Sequence, residues 1–305
     1  MQNIVPHLWF DTQAKEAADF YVSTFGNLSA GASAQAGNSK IESIATLHDT
    51  PSGDVDSVTF ELLGHSFMAI SAGPMFTINP SVSFFVQIEP AEEINRIWNE
   101  LAEGGEVMMP LDKYPWSERY GWLQDRFGPT WQISLGNKKD TGGQSITPCL
   151  MFTGDVYGQA EEAINHYTDI FPNSGVDGIL RFGSDEAPDE ERNVKHAQFR
   201  IENQTFMIIE SAHDHQFGFN EAISLMVNCD SQKEIDKCWD KLSAVPEAEQ
   251  CGWIKDKFGV SWQIVPRVLN EMIIKGTPEQ VDRVTQSFLP MKKLDIAAIQ
   301  KAFDG

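Results

Sequence analysis

Residues 121–134, GWLQDRFGPTWQIS, return at 252–265 as GWIKDKFGVSWQIV, with both tryptophans, both glycines, the aspartate, the phenylalanine and the glutamine in register. Two further blocks recur in the same order. IVPHLWF at 4–10 becomes ITPCLMF at 146–152, and EAADFYVSTFGN at 16–27 becomes EAINHYTDIFPN at 162–173. Chance composition does not produce three ordered matches, so the chain reads as two tandem copies of one unit. Its 305 residues exceed one ordinary core and suit two domains of roughly 100–200 residues each. The expected division is 1–137 for the first domain, 146–266 for the second and 267–305 for a C-terminal helical extension. The polar, glycine-containing run NKKDTGGQ at 137–144 serves as linker.

Hydrophobic period divides each copy again. Residues 4–10 alternate as a strand, and Ala14, Ala17, Ala18, Tyr21 and Phe25 share a helix face. Apolar runs at 41–47, 58–63 and 67–70 add three strands. A second unit opens with a strand at 82–88 and continues with a helix whose first turn holds Pro90 and whose one side carries Ile94, Ile97, Trp98 and Leu101. Strands near Glu106, Trp122 and Trp131 complete it. The second copy repeats this plan, with Ser231 and Glu234 as a capping box ahead of Ile235, Cys238, Trp239 and Leu242. Four βαβββ units, an α+β fold, are predicted. Beyond Pro266 the period stays helical over 268–274, 278–288 with Thr277 as N-cap, and 294–303. Such a tail would clasp the two domains or a second chain, giving a homodimer or an intramolecular pseudo-dimer.

Hydrophobic residues make up 41% and charged residues 22%, ordinary globular values. The 44 acidic against 23 basic residues leave a net charge of −21, whose field repels phosphate backbones and anionic lipid. Neither nucleic acid nor membrane is an expected partner. No run approaches the roughly 18 apolar residues of a spanning helix, and MQNIVPHLWFDTQAKE has no basic-then-apolar leader, so a cytoplasmic location is expected. Cys149, Cys229, Cys238 and Cys251 show neither CxxC nor zinc-finger spacing and read as free thiols. The acidic run 184–192, SDEAPDEER, reads as a solvated loop.

Strand parity separates a packed face from a less apolar one. Val5, His7 and Trp9 oppose Ile4, Leu8 and Phe10; Thr59 and Glu61 oppose Val58, Phe60 and Leu62; Thr130, Gln132 and Ser134 oppose Trp131, Ile133 and Leu135. If the sheet curls into a cup, His7, Glu61 and Gln132 converge on one cavity with Ser83. Each has a plainer reading: His7 as a satisfied core histidine, the repeated Gln132 and Gln263 as a shared structural hydrogen bond, and Trp122, Trp131, Trp253 and Trp262 as core or cavity wall. His196 and Gln198 share the parity of Arg200, while His213 and His215 fall in a loop without compact metal-ligand spacing.

The blocks WFDTQAKEAADFY, FELLGHSFMAI, NEAISLMVNCDSQKEIDKCWDKL, CGWIKDKFGVSWQIVP and MKKLDIAAI resemble the PhnB-like family, part of which is labelled 3-demethylubiquinone-9 3-methyltransferase. That family belongs to the vicinal-oxygen-chelate superfamily of glyoxalase, bleomycin-resistance and extradiol dioxygenase proteins. The resemblance implies two βαβββ units per domain forming a cup-shaped mixed sheet around a small-molecule or metal site. Superfamily metal ligands lie on the first, fourth, fifth and eighth strands of a domain. The matching residues are His7, Glu61, Ser83 and Gln132 in the first copy, and Cys149, Arg200, Ser224 and Gln263 in the second. His7, Glu61 and Gln132 are the implied ligands for Zn, Ni, Mn or Fe, with Glu61 or water moving protons. Trp9, Ser83, Trp122, Cys149, Arg200, Ser224 and Gln263 are the implied cavity lining. Arg200 repels a cation and either binds an anionic substrate or pairs with a surface carboxylate.

Three functions follow as expectations. One is a divalent-metal-dependent isomerase, lyase or dioxygenase using the first domain. The second is a metal-free, ligand-sequestering protein of the resistance type. The third is the methyltransferase of the family label, for which the sequence lacks the glycine-rich strand-to-helix turn of a doubly wound cofactor fold.

Overall fold

The computed structural model describes residues 4–26 and 39–305; Asn27, at the end of the second repeated block, lies outside them. The first copy runs β1 (Ile4–Phe10), α1 (Ala14–Gly26), β2 (Lys40–Thr50), β3 (Gly53–Leu62), β4 (His65–Ser71), β5 (Val82–Ile88), α2 (Ala91–Ala102), β6 (Glu106–Tyr114), β7 (Ser117–Gln124) and β8 (Thr130–Leu135). The second runs β9 (Ile146–Phe152), α3 (Ala160–Ile170), β10 (Gly175–Arg181), β11 (Val194–Ile201), β12 (Gln204–Glu210), β13 (Ile223–Cys229), α4 (Gln232–Leu242), β14 (Trp253–Lys255) and β15 (Ser261–Pro266). The tail holds α5 (Arg267–Lys275), α6 (Pro278–Phe288) and α7 (Ile296–Asp304). Among the described residues no helix is long and apolar enough to cross a membrane.

Side-chain caps open α4, α6 and α7, whereas α2, α3 and α5 start without one. Ser231 accepts from Glu234 N ahead of α4, and Thr277 with Gln280 forms a reciprocal capping box on α6. The apolar faces of α1 to α4 bury against the outer faces of the sheets: Tyr21, Trp98, Tyr167 and Trp239 join Leu8, Phe60, Trp131, Phe199 and Trp262 in one continuous core. The repeated aspartates anchor it. Asp125 accepts from Trp131 Nε1 at 2.7 Å, and Asp256 from Trp262 Nε1 at 2.8 Å and Tyr167 Oη at 2.7 Å.

The described residues form two mixed sheets, and each combines strands from both copies. One has the order β14-β15-β13-β1-β4-β3-β2, the other β10-β11-β12-β9-β5-β8-β7-β6. They meet across the repeat: β1 pairs antiparallel with β13, not with β5, and β5 pairs antiparallel with β9. We call them the His7 sheet and the Cys149 sheet. The fold class is as expected, but each cup takes one unit from each copy. The fourth unit is also shorter than the plan. Leu101 is followed by Gly121 twenty positions later and Leu242 by Gly252 only ten, so no counterpart of β6 precedes β14 and the His7 sheet has seven strands against eight.

Candidate functional site

Two cups follow from the two sheets. In the His7 cup, His7 stands beside Ser224 of β13 and Met68 of β4, and Gln263 Nε2 donates to Ser224 Oγ at 2.9 Å. The His7 ring meets Trp253 edge-on with centroids 5.5 Å apart, and Trp9 packs against both Trp253 and Phe76. His7 is 4% exposed and its Nδ1 has no hydrogen-bond partner in the protein. Burial holds its imidazole down to about 3, so it is neutral at physiological pH.

In the Cys149 cup the corresponding places hold Cys149, Ser83 and Gln132, with Met207 beside Cys149 on β12. Gln132 Nε2 donates to Ser83 Oγ at 2.8 Å, repeating the Gln263–Ser224 bond, and Gln132 Oε1 accepts from Tyr120 Oη at 2.8 Å. Trp122 lies directly opposite Gln132 on β7, and Tyr120, Trp122 and Met151 pack together with Phe85, Met109, Tyr114, Ile209 and Phe217. Burial pushes the Cys149 thiol up to about 12, raises the Tyr120 phenol and lowers His196, so all three are uncharged. Trp122 Nε1 and Thr147 Oγ1 are buried without a protein partner. Arg200 Nε donates to Asp177 Oδ1 at 2.8 Å in a half-exposed ion pair, the surface pairing that was one of its two readings.

The convergence of His7, Glu61, Gln132 and Ser83 does not occur. Gln132 and Ser83 belong to the Cys149 sheet, because β5 pairs with β9. Glu61 is on the third strand, paired with Ser66 and Lys40, and Met68 holds the place beside His7 on the fourth. Two strand spacings and two residues separate Glu61 from His7, roughly 12 Å between Cα atoms. Metal ligands must reach one ion at about 2 Å, and His7 with Met68, Ser224 and Gln263 offers one imidazole and no carboxylate. The donors do not fit a divalent ion. Among the described residues no group of three or more His, Cys, Asp or Glu side chains is placed to hold one; His213 and His215 lie with ring centroids 6.3 Å apart. Trp131 and Trp262 are core, whereas Trp122 and Trp253 line the cups. Sequence reading missed Tyr120, although it shares the strand parity of Trp122, and Met68, which carries no chemical signal.

The family pattern described as 3-demethylubiquinone-9 3-methyltransferase matches residues 2–134 and again residues 144–265. The chain belongs to this PhnB-like family. Among solved structures it is similar to a PhnB protein from Bacillus cereus, with 34% identity over 44% of this chain and 100% of that one and a TM-score of 0.38. Protein PA1353 from Pseudomonas aeruginosa shares 26% over 44% of this chain and 98% of that one, TM-score 0.36. Glyoxalase I from Zea mays shares 12% over 90% of this chain and 98% of that one, TM-score 0.50, a likeness of fold alone. No curated protein matches the chain.

Proposed function

We propose that this chain binds a small, uncharged, planar molecule in the Cys149 cup without a metal. The observation that carries the reading is the chemistry of that cup: aromatic walls, the Tyr120–Gln132–Ser83 hydrogen-bond relay, and the unpartnered Trp122 Nε1 donor. A buried N–H without an acceptor costs about 1–3 kcal/mol, so a ligand oxygen placed there is favoured. Burying a charged group among neutral Cys149, Tyr120 and His196 is costly, so an anionic analogue is disfavoured. The family description names methylation of a quinone. Among the described residues no strand-to-helix turn carries the GxGxxG pattern of a doubly wound fold that would hold a nucleotide-like methyl donor, and what the cup supports is recognition of a neutral oxygenated ring.

1,2-Dimethoxybenzene and its charged counterpart 3,4-dimethoxybenzoate test this by calorimetry in the presence of a chelator. The neutral probe should bind saturably, and Gln132→Leu or Tyr120→Phe should each weaken it roughly tenfold; the benzoate should not bind. Loss of binding on chelation, or on His7→Ala but not on Gln132→Leu, overturns the reading.

A further inference from the structure

The two cups differ in what covers them. On the inner face of the His7 sheet, Val5, Met226 and Val265 pack with Leu47 and Met68 against Leu269 and Met272 of α5, Val284 and Phe288 of α6, and Leu294 and Ile299 of the α7 region. The matching positions in the Cys149 cup are Thr147, Phe85 and Ser134, and no tail helix joins their cluster. The tail also supplies a wall. Where the short connection before β14 omits a strand, Cys251 N donates to Met291 O at 2.7 Å and Gly252 N to Lys292 O at 2.8 Å. Beneath this cover lies the same floor as in the Cys149 cup, the Gln263–Ser224 bond, together with His7 Nδ1 and Ser261 Oγ, both buried without a protein partner. Side-chain ties add to these two backbone bonds: Lys292 to Glu249 at 3.1 Å, Lys293 to Asp240 at 3.0 Å, and part-buried Gln232, which donates to Leu294 O and accepts from Ile296 N. The two exposed ion pairs hold weakly, and the cover over the cup itself is the apolar contact of the tail helices.

We propose that the His7 cup is a second binding site for a neutral apolar molecule, held shut in cis by residues 267–305. The tail side chains occupy the space a ligand would take, and ligand and tail compete for Val5, Met226 and Val265. An apolar compound therefore displaces the tail rather than adding to it, and the two cups of one chain differ in availability.

The full-length chain titrated with the neutral dye Nile red tests this. Leu294→Asp, which puts a charge into the apolar contact, should raise the dye stoichiometry by one over the unaltered chain and speed amide exchange in α6 and α7 at least roughly tenfold. Adding Met226→Trp, which fills the cup, should remove that extra dye. The increment is what is read, so the result stands apart from whether the Cys149 cup takes the dye. In the unaltered chain at that same dye concentration α6 and α7 should stay protected, and only a large excess of dye should speed their exchange while β1 and β13 stay protected. An unchanged stoichiometry with a released tail overturns the proposal. So does exchange of the tail only through global unfolding, or a Leu294→Asp chain that loses its near-ultraviolet dichroism, since the tail would then be core and not a cover.

Discussion

At the scale of single residues, the two copies solve the same local problem with different side chains. Gln204 spans Ile4, accepting from its N–H at 2.7 Å and donating to its carbonyl at 2.8 Å, and ties the second copy to β1. The matching residue of the first copy is His65, whose Nε2 accepts from Ser145 N at 3.1 Å just ahead of β9. Only a neutral imidazole accepts there, and burial lowers His65 to about 4. Above pH 6.5 both folded and unfolded chains carry a neutral His65, and its contribution is intact. Between 6.5 and about 4 the unfolded chain holds a proton the folded one lacks, so stability falls with pH by about 1.4 kcal/mol per unit. Asp125 runs the other way: burial raises it from 3.8 to about 6, so the folded chain takes up a proton first and gains stability as pH drops through that window. His65→Gln, which copies the other tie, should therefore flatten the acid side of the profile measured by urea unfolding at pH 7, 6 and 5. Parallel profiles for the two proteins would remove His65 from the account. None of this is legible in the sequence, because a tautomer is set by what faces the ring.

At the scale of elements, glycines in the repeated GW dipeptide do different work in the two copies. A Cβ at Gly121 would lie 2.4 Å from the Trp98 ring and 3.0 Å from Leu111 Cα, so β7 reaches α2 closely only through a bare backbone. Gly252 has φ +86°, in the left-handed region, and a Cβ there would meet Leu294 at 3.2 Å. Gly121→Ala should push α2 off the sheet and cost about 1–3 kcal/mol, read as a lower thermal midpoint; a midpoint unchanged within error would mean Trp98 moves aside freely. Strands, helices and caps were legible because period and capping residues are local. The three tail helices lie where their apolar spacing and Thr277 place them. Their target was not legible, since an apolar helix face specifies burial and not which surface buries it.

At the scale of the whole molecule, cross-pairing makes each copy dependent on the other. Expressed alone, residues 1–137 expose the edges of β1 and β5 that β13 and β9 cover, and unpaired apolar edges self-associate. Residues 1–137 and 138–305 should each aggregate or self-associate alone, and should form a 1:1 complex with cooperative unfolding when produced together. A stable monomer of 1–137 would show that the copy closes its own cup. The duplication, three of the four βαβββ units and the outer core were determined by the sequence alone, because parity and period act over a few neighbours. Which residues share a cup was decided only by the tertiary structure. IVPHLWF and ITPCLMF, like VSFFVQI and ISLMVNC, present the same hydrophobic pattern, so pairing within a copy and between copies buries equivalent faces. Nothing local separates His7 with Gln132 from His7 with Gln263; the path of the chain between strands and the packing of the tail do.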